Sequence, residues 1–223
     1  MKRCLVVFAK RPRPGEVKTR LCPPLTLEQA ADLAAAFLHD TLLIGEHLAG
    51  WERVLAYAPW GARRVMAALA PGWRLLVQRG ADLGERLEDA VGGLFGRGID
   101  RVLVIGADSP QLPPERLGEA AAALERARVV LGPTEDGGYY LIGLRRWGRG
   151  MLAGVRWGTE HALADTLARA ERLGLRCELL EPSYDVDEID DLRRLARDLT
   201  ALPPTQAPNT RAAIAAVQEL QRP

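Results

Sequence analysis

Short, solid apolar runs alternate along the chain with longer stretches in which apolar residues recur every three or four positions. "CLVVFA" (4–9) is short, β-branched and bounded by charge, so it predicts a buried strand. A long apolar-periodic segment then fills 26–48, where Thr26 is placed to cap a helix. Further on, "RVLAYA" (53–58), "WRLLVQ" (73–78), "RVLVIGAD" (101–108), "RVVLGP" (128–133), "GYYLIGL" (138–144) and "RCELLE" (176–181) read as strands. Between them the spacing predicts helices over 62–69, over 83–98 (weakened by Gly92 and Gly93), from Pro113 and Pro114 to about Ala127, over 160–173 and over 187–199. "PPTQAPNT" reads as a linker, and a last short helix is expected over 211–221.

This alternation predicts an α/β fold: a three-layer α/β/α sandwich around a mostly parallel central sheet. The irregular zone 134–160 breaks the rhythm, so the sheet should be mixed, with an antiparallel strand. One domain is expected over 1–202, followed by a linker and short helix over 203–223.

Composition narrows the function classes. The chain has 223 residues, 48% apolar and 26% charged, with 30 Lys plus Arg against 29 Asp plus Glu. Without a global basic field, nucleic acid is not an expected partner, and any anion site must be a local cluster. Cys4, Cys22 and Cys177 are odd in number and far apart, which fits a reducing compartment and argues against a zinc site. No apolar run approaches the roughly 20 residues of a membrane helix, and Lys10 ends the first run too early for a signal peptide. A cytoplasmic protein with no membrane partner is expected.

In open α/β sheets ligands bind beyond the carboxyl ends of the strands, so the loops there carry the candidate chemistry. After the first strand, "KRPRPGEVKTRL" packs Lys10, Arg11, Arg13, Lys18 and Arg20 around two prolines and a glycine. Lys18 and Arg20 suit phosphate; the loop lacks Walker spacing and reads equally as a solvated basic loop. Asp108, at the end of the strongest strand, suits a divalent cation that takes one or two carboxylates plus substrate phosphates, or else an Asp-Ser-Pro turn. In "SYDVDEIDDL", Asp185 and Asp187 share one side if the backbone is extended. Asp187 could instead cap the last long helix, with Asp190 at the capping-box position. Asp136 is a candidate base or metal partner, or part of an Asp-Gly turn. Asp82 is a natural helix cap, and Arg86 faces ligand or solvent. His39, His47 and His161 form no constellation, although His161 is closer to the suspected site.

Six stretches in this order, "FAKRPRPGEVKTRLCPPL", "QRGADLGERL", "VLVIGADSPQLP", "VVLGPTEDGGYYLIGL", "VRWGTEHALADTL" and "YDVDEIDDL", resemble the DUF2064 family over residues 3–200. That family is sometimes labelled as arsenosugar-biosynthesis glycosyltransferase. It is similar to the nucleotide-diphospho-sugar transferases of the Rossmann-like GT-A fold. The resemblance implies a nucleotide held by Lys18, Thr19 and Arg20, with Ala9, Lys10, Asp82, Gly84 and Arg86 as further candidate contacts. It implies a metal, Mg²⁺ or Mn²⁺, on Asp108 and Asp187 with Asp185 beside them. Candidate substrate contacts are Ser109, Gly137, Gly138 and Thr159. Three departures stand out: no "GGxGxR" in the first loop, no DxD around Asp108, and Glu188-Ile189-Asp190 where Thr-Pro-Glu is usual in the superfamily.

The reaction expected first is metal-dependent glycosyl transfer from a nucleotide sugar to a small-molecule acceptor, with Asp136 or Glu160 as the base. The alternative is guanylyltransferase-like nucleotidyl transfer, from an NTP to a phosphorylated small molecule with release of pyrophosphate, which the basic first loop favours. A nucleotide-binding protein without turnover is a third reading. A homo-oligomer is left open.

Overall fold

The computed structural model describes residues 1–146, 148 and 150–217. Seven strands form one sheet: β1 (Arg3–Lys10), β2 (Glu52–Ala58), β3 (Arg74–Val77), β4 (Arg101–Ile105), β5 (Val129–Pro133), β6 (Tyr139–Arg145) and β7 (Cys177–Leu179). Their order is β3-β2-β1-β4-β6-β5-β7. The expected antiparallel strand is β6, which runs against both β4 and β5; every other pairing is parallel. β1 is central because its residues Cys4 to Val7 are fully buried and have two faces to fill.

Period-two geometry sorts those residues onto two cores. Leu5 and Val7 join one cluster with Leu38 and Leu42 of α1 (Leu27–Glu46), Met66 of α2 (Arg63–Leu69), and Leu117 and Ala120 of α4 (Glu115–Ala123). Cys4 and Val6 join the other, with Leu87, Val91 and Leu94 of α3 (Leu83–Phe95) and Ala170 of α5 (Ala162–Arg172). The expected three layers are therefore present. As anticipated, Thr26 caps α1, in a capping box: its hydroxyl accepts from the Gln29 backbone at 3.2 Å, and Gln29 Oε1 accepts from Thr26 N at 2.7 Å.

Several boundaries differ from the sequence expectation. β4 stops at Ile105, so Gly106–Asp108 is a loop that leaves the sheet; β7 is three residues long where six were expected. The helix expected from 187 is α6, Ile189–Ala201, and its cap is Glu188 rather than Asp187. Asp191, not Asp190, supplies the box carboxylate, accepting from Glu188 N at 2.8 Å and Asp187 N at 3.1 Å. The last helix is α7, Pro208–Ala216; positions 218–221 of the expected 211–221 helix lie outside the described residues.

A third cluster sits at one end of the sheet. Leu33 and Phe37 of α1 meet Leu21, Leu25, Tyr184, Val186, three leucines of α6, Ala207 and Val217. Two polar clamps close it. The buried Asp40 carboxylate accepts from Asn209 N (3.1 Å), Asn209 Nδ2 (2.8 Å) and Thr210 N (2.7 Å), the first-turn donors of α7. Arg211 in turn donates to the carbonyls of Leu199 (2.5 Å), Leu202 (2.9 Å) and Pro203 (3.1 Å) at the end of α6. Asp40→Ala should therefore cost ~2–3 kcal/mol, because it removes charged hydrogen bonds and strands buried N–H groups. A urea-unfolding midpoint equal to that of the wild type would contradict this.

Candidate functional site

The third cluster explains the site's carboxylates. Tyr184 and Val186 turn into it, so on an extended backbone Asp185 and Asp187 turn the other way, into a cleft of about 780 Å³. Val186 N donates to the Asp108 carbonyl at 2.8 Å, which fastens this segment beside the loop leaving β4. Asp108, Asp185 and Asp187 thereby line one wall, at the carboxyl ends of β1 and β4.

Lys18 faces them from the first loop. Its backbone is left-handed (φ 47°, ψ 34°), a conformation non-glycine residues seldom adopt. Its side chain is only 7% exposed, against 49% for Asp108 and 50% for Asp187. The ammonium pairs with Asp108 Oδ1, donates to Asp187 Oδ1 at 2.9 Å and to the Val186 carbonyl at 2.8 Å, and lies 5.7 Å from the Phe37 ring centroid. Burial opposes its charge, but Asp108 and Asp187 together outweigh burial and hold the Lys18 pKa above the usual lysine value. Burial pushes Asp185 up to about 7, against the pull of the Ser109 hydroxyl, which donates to its Oδ1.

The cleft gathers most of the residues expected from the sequence. Ala9, Lys10, Lys18, Thr19, Arg20 and Arg86 line it, as do Asp108, Asp185, Asp187, Asp136, Gly138 and Thr159. Asp82, Gly84, Ser109, Gly137 and Glu160 do not. Asp82 caps α3, accepting from Glu85 N at 2.8 Å, and the Ser109 hydroxyl donates to Asp185. Gly84 lies under the Trp157 indole: an added Cβ would meet Trp157 Nε1 at 2.4 Å. Glu160 is 77% exposed beside His161. Arg11 and Arg13 pair with Glu16 at 3.6 and 2.9 Å.

Asp136 accepts on a single oxygen, Oδ1, from the Thr134 hydroxyl (2.5 Å) and Gly138 N (3.0 Å). Gly137 holds this turn against the loop before α5: it has φ +84°, and a Cβ there would sit 2.1 Å from the Glu160 carbonyl oxygen. Gly137→Ala is expected to lower stability by more than ~1 kcal/mol, since both backbone conformation and space forbid the methyl. An unchanged melting temperature would show that the two segments separate freely.

Sequence reasoning missed several lining or supporting groups. Phe37 and the Val186 carbonyl, which hold Lys18, carry no local signal. Gln78 opens the stretch "QRGADLGERL" but has no spacing that marks it; its amide nitrogen ties the Ala9 (3.2 Å) and Ala56 (2.8 Å) carbonyls at the ends of β1 and β2. Tyr139 and Trp157 line the cleft edge-to-face, with ring centroids 5.8 Å apart.

Among the described residues, no group of three or more His, Cys, Asp or Glu side chains is arranged to hold a metal by itself. Two half-exposed carboxylates converging on one point still fit Mg²⁺ or Mn²⁺, which take one or two carboxylates and complete their shell with phosphate and water oxygens.

The family model described as "uncharacterized protein conserved in bacteria (DUF2064)" matches residues 42–159, more than half of the chain. The chain belongs to this family. A provisionally assigned nucleotide-diphospho-sugar transferase from Desulfovibrio desulfuricans G20 superposes on this DUF2064 protein with a TM-score of 0.90, at 32% identity over 99% of this chain and 97% of that one. A Mycobacterium tuberculosis H37Rv protein solved in complex with manganese shares the fold at a TM-score of 0.57 and 21% identity, covering 87% of this chain and 98% of that one. A cytidylyltransferase from Leptospira borgpetersenii does so at 0.60 and 13% identity, covering 99% and 96%. No curated protein matches the chain. Among the described residues no helix is long and apolar enough to cross a membrane.

Proposed function

We propose that this DUF2064 protein is a metal-dependent glycosyltransferase that takes a nucleotide-sugar donor and a small-molecule acceptor. The observation that carries the reading is the meeting of Lys18, Asp108 and Asp187, from three distant segments, at the carboxyl end of the sheet. The similarity to a provisionally assigned nucleotide-diphospho-sugar transferase supports the donor class. Asp108 and Asp187 would hold the cation, with Asp185 beside them. When bound, Mg²⁺ or Mn²⁺ supplies Lewis-acid neutralisation of the leaving nucleoside diphosphate.

The chain's own residues supply the rest. Lys18 is placed to take a phosphate oxygen, and Lys10, Arg20 and Arg86 line the same cleft with further positive charge. Asp136 is better placed than Glu160 to act as base: it lines the cleft, both of its bonds fall on Oδ1, and Oδ2 is left to accept the acceptor's proton. Tyr139 and Trp157 offer an aromatic wall in the same cleft.

The four basic groups in one cleft favour a second reading, nucleotidyl transfer from an NTP to a phosphorylated small molecule. The two reactions differ in the leaving group. Incubation with UDP- and GDP-sugars plus Mg²⁺ or Mn²⁺ and a panel of acceptors should release nucleoside diphosphate, whereas parallel incubations with each NTP should release nothing. Release of pyrophosphate alone would replace glycosyl by nucleotidyl transfer. Nucleotide binding with neither product would reduce the protein to a binding module.

A further inference from the structure

We infer that Lys18 is a resident counter-ion: it holds the Asp108–Asp187 pair against a bare divalent cation and gives the pair up only to a ligand whose phosphate takes the ammonium in exchange. Cation and nucleotide then bind as a coupled pair. This rests on the transferase reading of the cleft, and adds to it how the site is regulated.

Three observations lead there. The oxygens that converge on a common point, Oδ1 of Asp108 and Oδ1 of Asp187, are the two that the ammonium already engages. A cation entering between them meets a like charge at hydrogen-bond range, in a setting where screening by water is weak because the Lys18 side chain is 7% exposed. And the ammonium is fixed on three sides, by the two carboxylates and by the Val186 carbonyl at 2.8 Å, so it does not yield to water without losing three partners. A phosphate oxygen is a partner of equal charge and equal hydrogen-bonding capacity. Lysine's flexible four-carbon stem lets the ammonium move by one contact distance while the loop stays put. The exchange forms one ammonium–phosphate contact and frees two carboxylate oxygens for the cation. No covalent bond changes.

The test reads metal binding directly. Mn²⁺ is titrated into the full chain, and free Mn²⁺ is followed by its electron paramagnetic resonance signal. The proteins are wild type, Lys18→Met, Lys18→Gln and Lys18→Arg, each with and without UDP, GDP, CDP or ADP. With Mn²⁺ alone, the wild type and Lys18→Arg should bind weakly, and Lys18→Met and Lys18→Gln about tenfold more tightly or better. A nucleoside diphosphate should tighten Mn²⁺ binding to the wild type by ~10- to 100-fold, after correction for Mn²⁺ held by the free nucleotide. It should add little in Lys18→Met. Lys18→Gln keeps a donor for the Val186 carbonyl and carries the comparison if Lys18→Met does not fold. Equal Mn²⁺ affinity in wild type and Lys18→Gln overturns the inference and leaves the transferase reading standing. Failure of every nucleotide to bind, with Lys18→Gln still gaining Mn²⁺ affinity, overturns coupled binding together with the transferase reading and leaves only the guarding of the carboxylate pair by Lys18.

Discussion

Asp108→Ala should leave a folded protein whose turnover falls by ~10²- to 10³-fold, the loss typical of removing one preorganised charge-stabilising group. Asp108 is the only carboxylate that the β4 loop brings to the cleft wall, and no DxD partner stands beside it, since the next residues are Ser109 and Pro110. It is half-exposed, so its removal strands no buried charge except Lys18, which keeps Asp187 and the Val186 carbonyl. The loss should therefore appear in kcat at saturating donor, with the circular dichroism spectrum close to wild type and the melting temperature lower by only a few degrees, because Lys18 loses one partner of three. Activity within tenfold of wild type would mean that the metal sits elsewhere or is not needed.

Phe37→Ala should destabilise the protein by ~4 kcal/mol, more than Asp40→Ala or Gly137→Ala. The ring is fully buried at the centre of the third cluster, where α1, α6, the 184–186 segment and the tail meet. For a chain of this size ~4 kcal/mol corresponds to a melting temperature lower by ~8–16 °C. The variant should also lose more activity than its folded fraction explains, because the same ring lies beside the Lys18 ammonium. Phe37→Leu, which keeps most of the volume, separates the two effects. It should recover most of the stability, and its remaining defect should appear in donor KM. If Phe37→Leu restores both fully, the ring acts only as packing.

The layers of the fold were legible because burial on two faces leaves a solid apolar run, as in Cys4–Val7, whereas a helix on a sheet leaves a three-to-four spacing, as in 26–48. What blurred was where elements end. "RVLVIGAD" has no internal mark to say that pairing stops at Ile105: the ladders with β1 and β6 end there, at Val7 and Leu141, although both neighbouring strands run on. The cap of α6 falls one residue later than expected, since several carboxylates in "DVDEIDD" satisfy the capping pattern. That shift matters chemically, because Asp187 is left free to reach Lys18. The acidic and basic members of the cleft could be picked out as residue types at strand ends. The turn that orients Asp136 is local, its bonds running only to Thr134 and Gly138, and the Asp-Gly pair marked it in the sequence. Phe37 and the Val186 carbonyl, which orient Lys18, depend on tertiary contacts that no local spacing encodes.

The left-handed backbone at Lys18 sets stability and function against each other at a single position. At φ 47° a glycine would be relaxed and an asparagine tolerated, whereas lysine carries strain that its side chain must offset through Asp108, Asp187 and Val186. Libraries of this residue selected for thermal tolerance alone should drift towards glycine or asparagine. Libraries selected for turnover should return lysine, at the expense of a less comfortable loop.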